Sequence, residues 1–136
     1  MPSENFEARP AGVVPELLVI HNISLPPGQF GGDCIERFFL NCLDWDEHPF
    51  FEEIRGVRVS AHLLITREGE LLQFVSFDDR AWHAGLSAYC GRENCNDFSI
   101  GIEFEKQVNL TVEWNTLFRQ IALVAEFCTQ WQRFVA

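Results

Sequence analysis

The sequence predicts an α/β fold: a mixed central β-sheet flanked by helices, formed by residues 1–136 as a single domain. Three observations carry that prediction. An unbroken apolar run, Leu17-Leu18-Val19-Ile20, leads into His21-Asn22-Ile23-Ser24 between Pro15 and Leu25-Pro26-Pro27-Gly28. This is the pattern of a strand buried on both faces, with His21 at its tip. Residues 99–105, SIGIEFE, alternate cleanly, turning Ile100, Ile102 and Phe104 into a core and Ser99, Gly101, Glu103 and Glu105 the other way. Helical spacing flanks these strands on both sides. Cys34, Ile35, Phe38, Phe39, Cys42 and Leu43 follow a plausible N-cap, Asp33, and Leu117, Ile121, Val124, Cys128 and Trp131 mark a helix starting near Thr111 or Asn115.

The remaining segments follow in order. The first dozen residues are polar and contain proline, which fits an extended arm. The stretch DWDEHPFFEEI reads as irregular, with His48 extended ahead of Pro49. SAHLLIT and LLQFVSF form a hairpin pattern across Arg67-Glu68-Gly69-Glu70, with His62, Leu64 and Thr66 on one face of the first strand. The long loop from Asp78 to Asp97 carries RAWHAG and CGRENC, and loops of that length in small domains are commonly functional.

Composition narrows the partners. Ten basic against 20 acidic residues give a net charge of −10, so nucleic acid and anionic membrane surfaces are disfavoured. An anionic ligand would need arginines concentrated locally. No stretch is apolar enough to span a bilayer, and the opening MPSENFEARPAG lacks the basic and apolar regions of a signal peptide. Five cysteines, an odd number, read as free thiols of a reducing, cytoplasmic compartment. Cys90 and Cys95 have the spacing of a metal half-site but lack a second pair.

Four histidines, at 21, 48, 62 and 83, show no helical metal spacing. His21 and Glu103 form the more interesting pair. Gly101 leaves the face beside Glu103 without bulk, so a ligand could approach the carboxylate. Each residue also has a plain reading, His21 as a strand cap and Glu103 as a solvated strand residue. A metal cluster of His21, His62 and His83 is a further alternative, although His62 shares its face with Leu64, which favours packing.

The segments VIHNISLPPGQFGG, HPFFEEI, VSAHLLITREGELLQFV, DDRAWHAG and GRENCNDFSIGIEFE, in this order, resemble the zinc-dependent N-acetylmuramoyl-L-alanine amidases. The resemblance runs from about Pro10 to Glu105. It is strongest to the cytoplasmic enzymes that act on 1,6-anhydro-N-acetylmuramyl peptides in cell-wall recycling. It implies a peptidoglycan-recognition/amidase-like fold, Zn2+ as cofactor, an anhydro-muramyl peptide as substrate, and a monomer. In this reading the amide between N-acetylmuramic acid and L-alanine is hydrolysed, His21 is the first zinc ligand, and Glu103 is the general base. Asn22, Arg58, Trp82 and His83 match positions lining the substrate groove. Arg58 suits a stem-peptide carboxylate, through a fork that makes bidentate pairs, or it pairs with Glu47, Glu52 or Glu53 on the surface. Trp82 offers a face for a sugar ring or serves as a loop anchor.

The family's remaining ligands, a histidine and an aspartate, lie in a motif resembling GHxDIAPxRKTDPG, whose lysine is assigned to the oxyanion. No such motif occurs here, no histidine follows His83, and Lys106 is the only lysine. The expectation is therefore a chain cut short at its C-terminal segment that holds zinc weakly. A muropeptide-binding module without hydrolytic activity is the alternative.

Overall fold

The apolar run at Leu17–Ile23 forms strand β2, and the alternating SIGIEFE segment forms β8, Ser99–Glu105. In the computed structural model, which describes residues 1–105, these two strands pair in parallel, Leu17 against Ser99 through Ile23 against Glu105. The hairpin follows at β3 (Leu63–Ile65) and β4 (Leu71–Gln73), antiparallel and closed by a turn in which Gly69 takes a φ of 86°. Only glycine takes up that left-handed backbone freely. β3 lies parallel to the other side of β8, so the sheet order is β2-β8-β3-β4 and the sheet is mixed, as the sequence predicts.

β8 and β3, the two inner strands, are the most deeply buried. β2 is only half-buried, because among the described residues it stands at the sheet's edge. The expectation of a strand buried on both faces therefore fits β8 better than β2. One face of the sheet packs Leu18, Leu63, Ile65, Phe77, Ile100, Ile102 and Phe104. The other meets helix α1 (Cys34–Phe39) and helix α2 (Pro49–Glu53), whose Ile35, Phe38, Phe39 and Phe51 pack with Leu25, Leu64 and Phe74. Removing such rings from water contributes about 1.5–3 kcal/mol each.

Two local readings change. DWDEHPFFEEI is not irregular throughout: Pro49 starts α2, where its missing N–H costs nothing, and the extended His48 caps it by accepting from the Phe50 N–H at 3.1 Å. Asp33 precedes α1 as expected but makes no side-chain cap; its carboxylate pairs with Arg37 at 2.9 Å instead. The predicted helix through Leu117 and Trp131 lies outside the described residues. Among those described, no helix is long and apolar enough to cross a membrane. Cys34, Cys42, Cys90 and Cys95 are unbridged, and Cys95 is buried.

The N-terminal arm is stitched into the fold. Its strand β1 (Phe6–Ala8) pairs antiparallel with β5 (Asp79–Ala81), and two short strands, β6 (Ala88–Tyr89) and β7 (Arg92–Glu93), pair antiparallel in the loop before β8. Just before β1, Asn5 is fully buried and exchanges amide hydrogen bonds with Asn41 at 2.9 and 3.0 Å. Asn5 also donates to the Val59 carbonyl at 2.8 Å and accepts from Arg58 Nε at 3.0 Å. Deleting one side of such a buried network leaves several groups unpaired. Asn5→Ala is expected to lower stability by about 2–4 kcal/mol, read from urea unfolding curves; a loss under about 1 kcal/mol would mean water replaces the amide.

Candidate active site

Parallel pairing of β2 with β8 places His21 opposite Glu103, with Val19 opposite Gly101 and Leu17 opposite Ser99. On the far side of β8, Leu64 of β3 stands opposite Glu103. Side chains alternate along a strand, so His21, Leu64, Ser99, Gly101 and Glu103 share one face. His21 is not at the strand's tip. β2 runs on through Asn22 and Ile23, and the position of His21 is defined by its neighbour in register rather than by a loop.

That face is not open, contrary to the expectation from alternation. Ser99, Gly101 and Glu105 are buried, and Glu103 is largely so. Glu105 holds the loop after β2 and the β3–β4 turn, accepting from the Gly31 N–H at 2.5 Å and the Arg67 N–H at 3.2 Å. Glu103 has no comparable partners: its Oε2 is buried without a hydrogen bond among the described residues. Burial alone pushes its carboxyl up from 4.5 to about 8. The bulk-free space at Gly101 is filled by a side chain of the protein itself. A Cβ there would sit 2.3 Å from Cγ of His83 and 2.6 Å from its Nδ1.

His83 is therefore the centre of the site. It follows β5 in the RAWHAG segment, where Asn96 Oδ1 accepts from the backbone N–H groups of both His83 (3.1 Å) and Ala84 (2.9 Å). Its ring reaches His21, Nδ1 to Nε2 at 3.0 Å, and Ser99 Oγ through Nε2 at 3.1 Å. Burial pushes the His83 imidazole down to about 3, and burial also lowers His21. Both rings are neutral at neutral pH.

The three histidines of the alternative cluster do lie together, with ring centroids of His83 5.2 Å from His21 and 5.8 Å from His62. His62 nevertheless has nothing to offer a metal. Its Nδ1 accepts from the Gly101 N–H at 2.9 Å, so its proton is on Nε2, which donates to the Asp79 carbonyl at 3.1 Å. Arg9 Nη2, also 3.1 Å from that Nε2, faces N–H with N–H and makes no hydrogen bond there; it donates to the Ser99 carbonyl at 2.9 Å. His62 is a fully buried brace, and burial holds it down to about 4.

The donor set for zinc is incomplete on this face. Among the described residues no group of three His, Cys, Asp or Glu side chains could hold a metal ion, whereas a catalytic zinc takes three protein ligands. These residues by themselves do not fit the cofactor, although His21 and the unpartnered Glu103 are the types that flank one.

The groove residues divide. Arg58 lies 5.9 Å from the Trp82 ring centroid, its Nε fixed by Asn5, leaving the outer edge of the guanidinium exposed. The surface ion pairs foreseen for it do not form, since Glu47 is taken by Arg37 and Glu52 by Arg55. Trp82 is half-buried and joined to Ser60 by two hydrogen bonds, Ser60 N–H to the Trp82 carbonyl and Trp82 N–H to Ser60 Oγ. Asn22 stands apart: alternation turns it away from His21, and it is exposed. Ser99 and Asn96, which hold His83 in place, were not singled out in the sequence. A serine opening an alternating strand and an asparagine in a polar loop are common, and only the close approach marked by Gly101 hinted at what lies above it.

The model of the family described as N-acetylmuramoyl-L-alanine amidase matches residues 11–134. The chain belongs to this amidase family. Among curated members, it is 55% identical over 124 residues to the 1,6-anhydro-N-acetylmuramyl-L-alanine amidase AmpD of Salmonella typhimurium (strain SL1344), covering 91% of this chain and 66% of that protein. It is 54% identical to AmpD of Escherichia coli (strain K12), again over 91% of this chain and 67% of the relative. The chain thus spans about two thirds of the length of these amidases. A crystal structure of a selenomethionine AmpD derivative superposes with a TM-score of 0.85 at 52% identity, covering 91% of this chain and 69% of that one. The solution structure of Citrobacter freundii AmpD gives 0.61 at 49% identity, covering 96% and 70%. The mixed sheet described above is the amidase-family fold.

Proposed function

We propose that the protein hydrolyses the amide bond between N-acetylmuramic acid, in its 1,6-anhydro form, and the L-alanine of the stem peptide, in the cytoplasm and as a monomer. The observation that carries this reading is Glu103, a largely buried carboxyl with an unpartnered oxygen set in register with His21. Burial holds that carboxyl up to about 8, so its ionised form is a stronger base than a solvated glutamate and takes a proton from water more readily. Glu103 takes a proton from the attacking water as its oxygen bonds to the amide carbon. It then delivers the proton to the L-alanine nitrogen as the C–N bond breaks. We assign zinc as the cofactor and His21 as one of its ligands, the rest of the donor set not being among the described residues. Trp82 and Arg58 form the binding wall, with His83 behind His21, and Asn22 lies at the margin. The names of the amidases most similar to this chain, and the net charge of −10 that requires a placed cation for an anionic peptide, support the substrate class.

The test is chromatography of an anhydro-muramyl tripeptide incubated with the zinc-supplemented protein. Release of free tripeptide supports the reading. Binding without release assigns the protein to the muropeptide-binding alternative, and the absence of both overturns the substrate class.

Arg58 gives a separate prediction. A guanidinium–carboxylate pair is worth about 1.5–3 kcal/mol when well formed. Arg58→Ala should therefore weaken tripeptide binding by roughly one to two decades in calorimetric titration, and Arg58→Lys, which keeps charge without the fork, by less. Equal binding by wild type and Arg58→Ala removes the carboxylate-clamp role.

A further inference from the structure

Behind His21 runs a chain of polar groups to which the proposed reaction assigns no part. His21 Nε2 meets His83 Nδ1 at 3.0 Å, His83 Nε2 meets Ser99 Oγ at 3.1 Å, and Ser99 Oγ meets the Cys95 carbonyl oxygen at 2.5 Å. Ser99 and Cys95 are both buried, at 0% and 4% exposure, so no water exchanges places with these partners. The proton positions along this chain follow from its last member.

A carbonyl oxygen only accepts. Two oxygens 2.5 Å apart need a proton between them, and only Ser99 can supply it. The Ser99 hydroxyl therefore points at Cys95 and turns a lone pair toward His83. His83 Nε2 must carry the N–H that meets this lone pair. A neutral imidazole has one N–H, so His83 Nδ1 is the acceptor, and His21 Nε2 must donate to it. The remaining nitrogen of His21, Nδ1, is then left with its lone pair, and no described residue bonds to it. The reverse order would leave Ser99 Oγ and the Cys95 oxygen in contact with no proton between them.

We propose that His83 and Ser99 are positioning residues that fix His21 as its Nε2–H tautomer and so commit Nδ1 as the nitrogen His21 presents to the site. The arrangement is held from several sides. Asn96 pins the backbone at His83, the His83 ring lies against Gly101, and His62, just ahead of β3, braces Gly101 through bonds to its N–H and its carbonyl. A histidine that binds a ligand through one nitrogen is oriented by what its other N–H meets. Here that partner is a neutral imidazole, itself oriented by a hydroxyl. The inference rests on the proposed function only for the use to which the lone pair is put.

The test needs neither activity nor metal. Long-range 1H–15N correlation spectra of the metal-free, 15N-labelled protein at about pH 7.5, where a neutral histidine holds one ring proton, report which nitrogen of each ring carries it. The expected result is Nε2–H at both His21 and His83 in wild type. Ser99→Ala removes the terminal acceptor, so the Nδ1–H form of His21 should rise roughly fivefold, the bias one net hydrogen bond supplies. His83→Ala should do the same. His83→Asn, whose carboxamide oxygen can take the place of Nδ1, should restore the wild-type state of His21. A wild-type His21 protonated mainly on Nδ1, or a tautomer ratio unmoved by both Ser99→Ala and His83→Ala, overturns the proposal. If the spectra are as expected and no tripeptide is released from the anhydro-muramyl tripeptide, the hydrolytic reading fails and the positioning of His21 stands.

Discussion

Glu103→Gln is expected to slow release of the tripeptide from anhydro-muramyl tripeptide by about two to four decades, the range for a lost general base, while making the metal-free protein more stable at pH 8 than wild type. The two effects share one cause. Burial holds the Glu103 carboxyl up to about 8, against 4.5 when it is solvated. Below pH 4.5 both native and unfolded chains carry the proton, and Glu103 adds no pH dependence. Above 4.5 the unfolded chain releases its proton while the native chain retains it until about 8. The unfolded state then binds fewer protons, so stability falls as pH rises through this window and levels off above it. A window from 4.5 to about 8 is worth on the order of 4 kcal/mol. The glutamine variant, with no proton to lose at this position, escapes that decline. Urea unfolding of the metal-free proteins at about pH 5 and about pH 8, near the two ends of the window, should show wild type weakening relative to the variant. Parallel profiles would mean Glu103 is a solvated carboxylate, and hydrolysis within roughly tenfold of wild type would remove it as the base.

Gly101→Ala should be the most damaging single-methyl change on this face. Its Cβ would stand 2.3, 2.5 and 2.6 Å from three ring atoms of His83, which belong to a rigid imidazole rather than to the end of a flexible chain. β8 cannot retreat, since the Gly101 N–H and carbonyl are both bonded to His62. The ring must leave, breaking its bonds to His21 and Ser99. Overpacking combined with two lost buried hydrogen bonds predicts a loss of about 2–4 kcal/mol. Adding His83→Ala makes room for the methyl group, so the double variant should be more stable than the sum of the two losses allows. Additive losses, or a Gly101→Ala protein within about 0.5 kcal/mol of wild type, would show that the ring does not rest on this glycine.

Much of this was legible in the sequence where the signal is local. The alternation of SIGIEFE, the Gly69 turn and the spacing of Ile35, Phe38 and Phe39 each state a backbone period and a buried side, and the structure builds β8, the β3–β4 hairpin and α1 from them. Helix α2 escaped because its signal, proline after a capping histidine, occupies only two residues. Long motifs in order identified the family, and with it His21 and Glu103 as the residues to watch.

The tertiary structure decided what those residues are next to. Periodicity says that Glu103 faces away from Ile102, but not that the far face is roofed by His83 or that His21 stands beside Glu103. Those facts come from a parallel register between strands far apart in the chain and from a loop folded back over Gly101. No local pattern encodes either one. Burial, the carboxyl pushed up to about 8 and the direction of each hydrogen bond along His21, His83 and Ser99 all follow from that packing. The sequence determined which chemistry-bearing residues exist and which strand each sits on. Their protonation was settled only when non-local pairing removed them from water and left His21 with one ring partner, His83 with two and the Glu103 Oε2 with none.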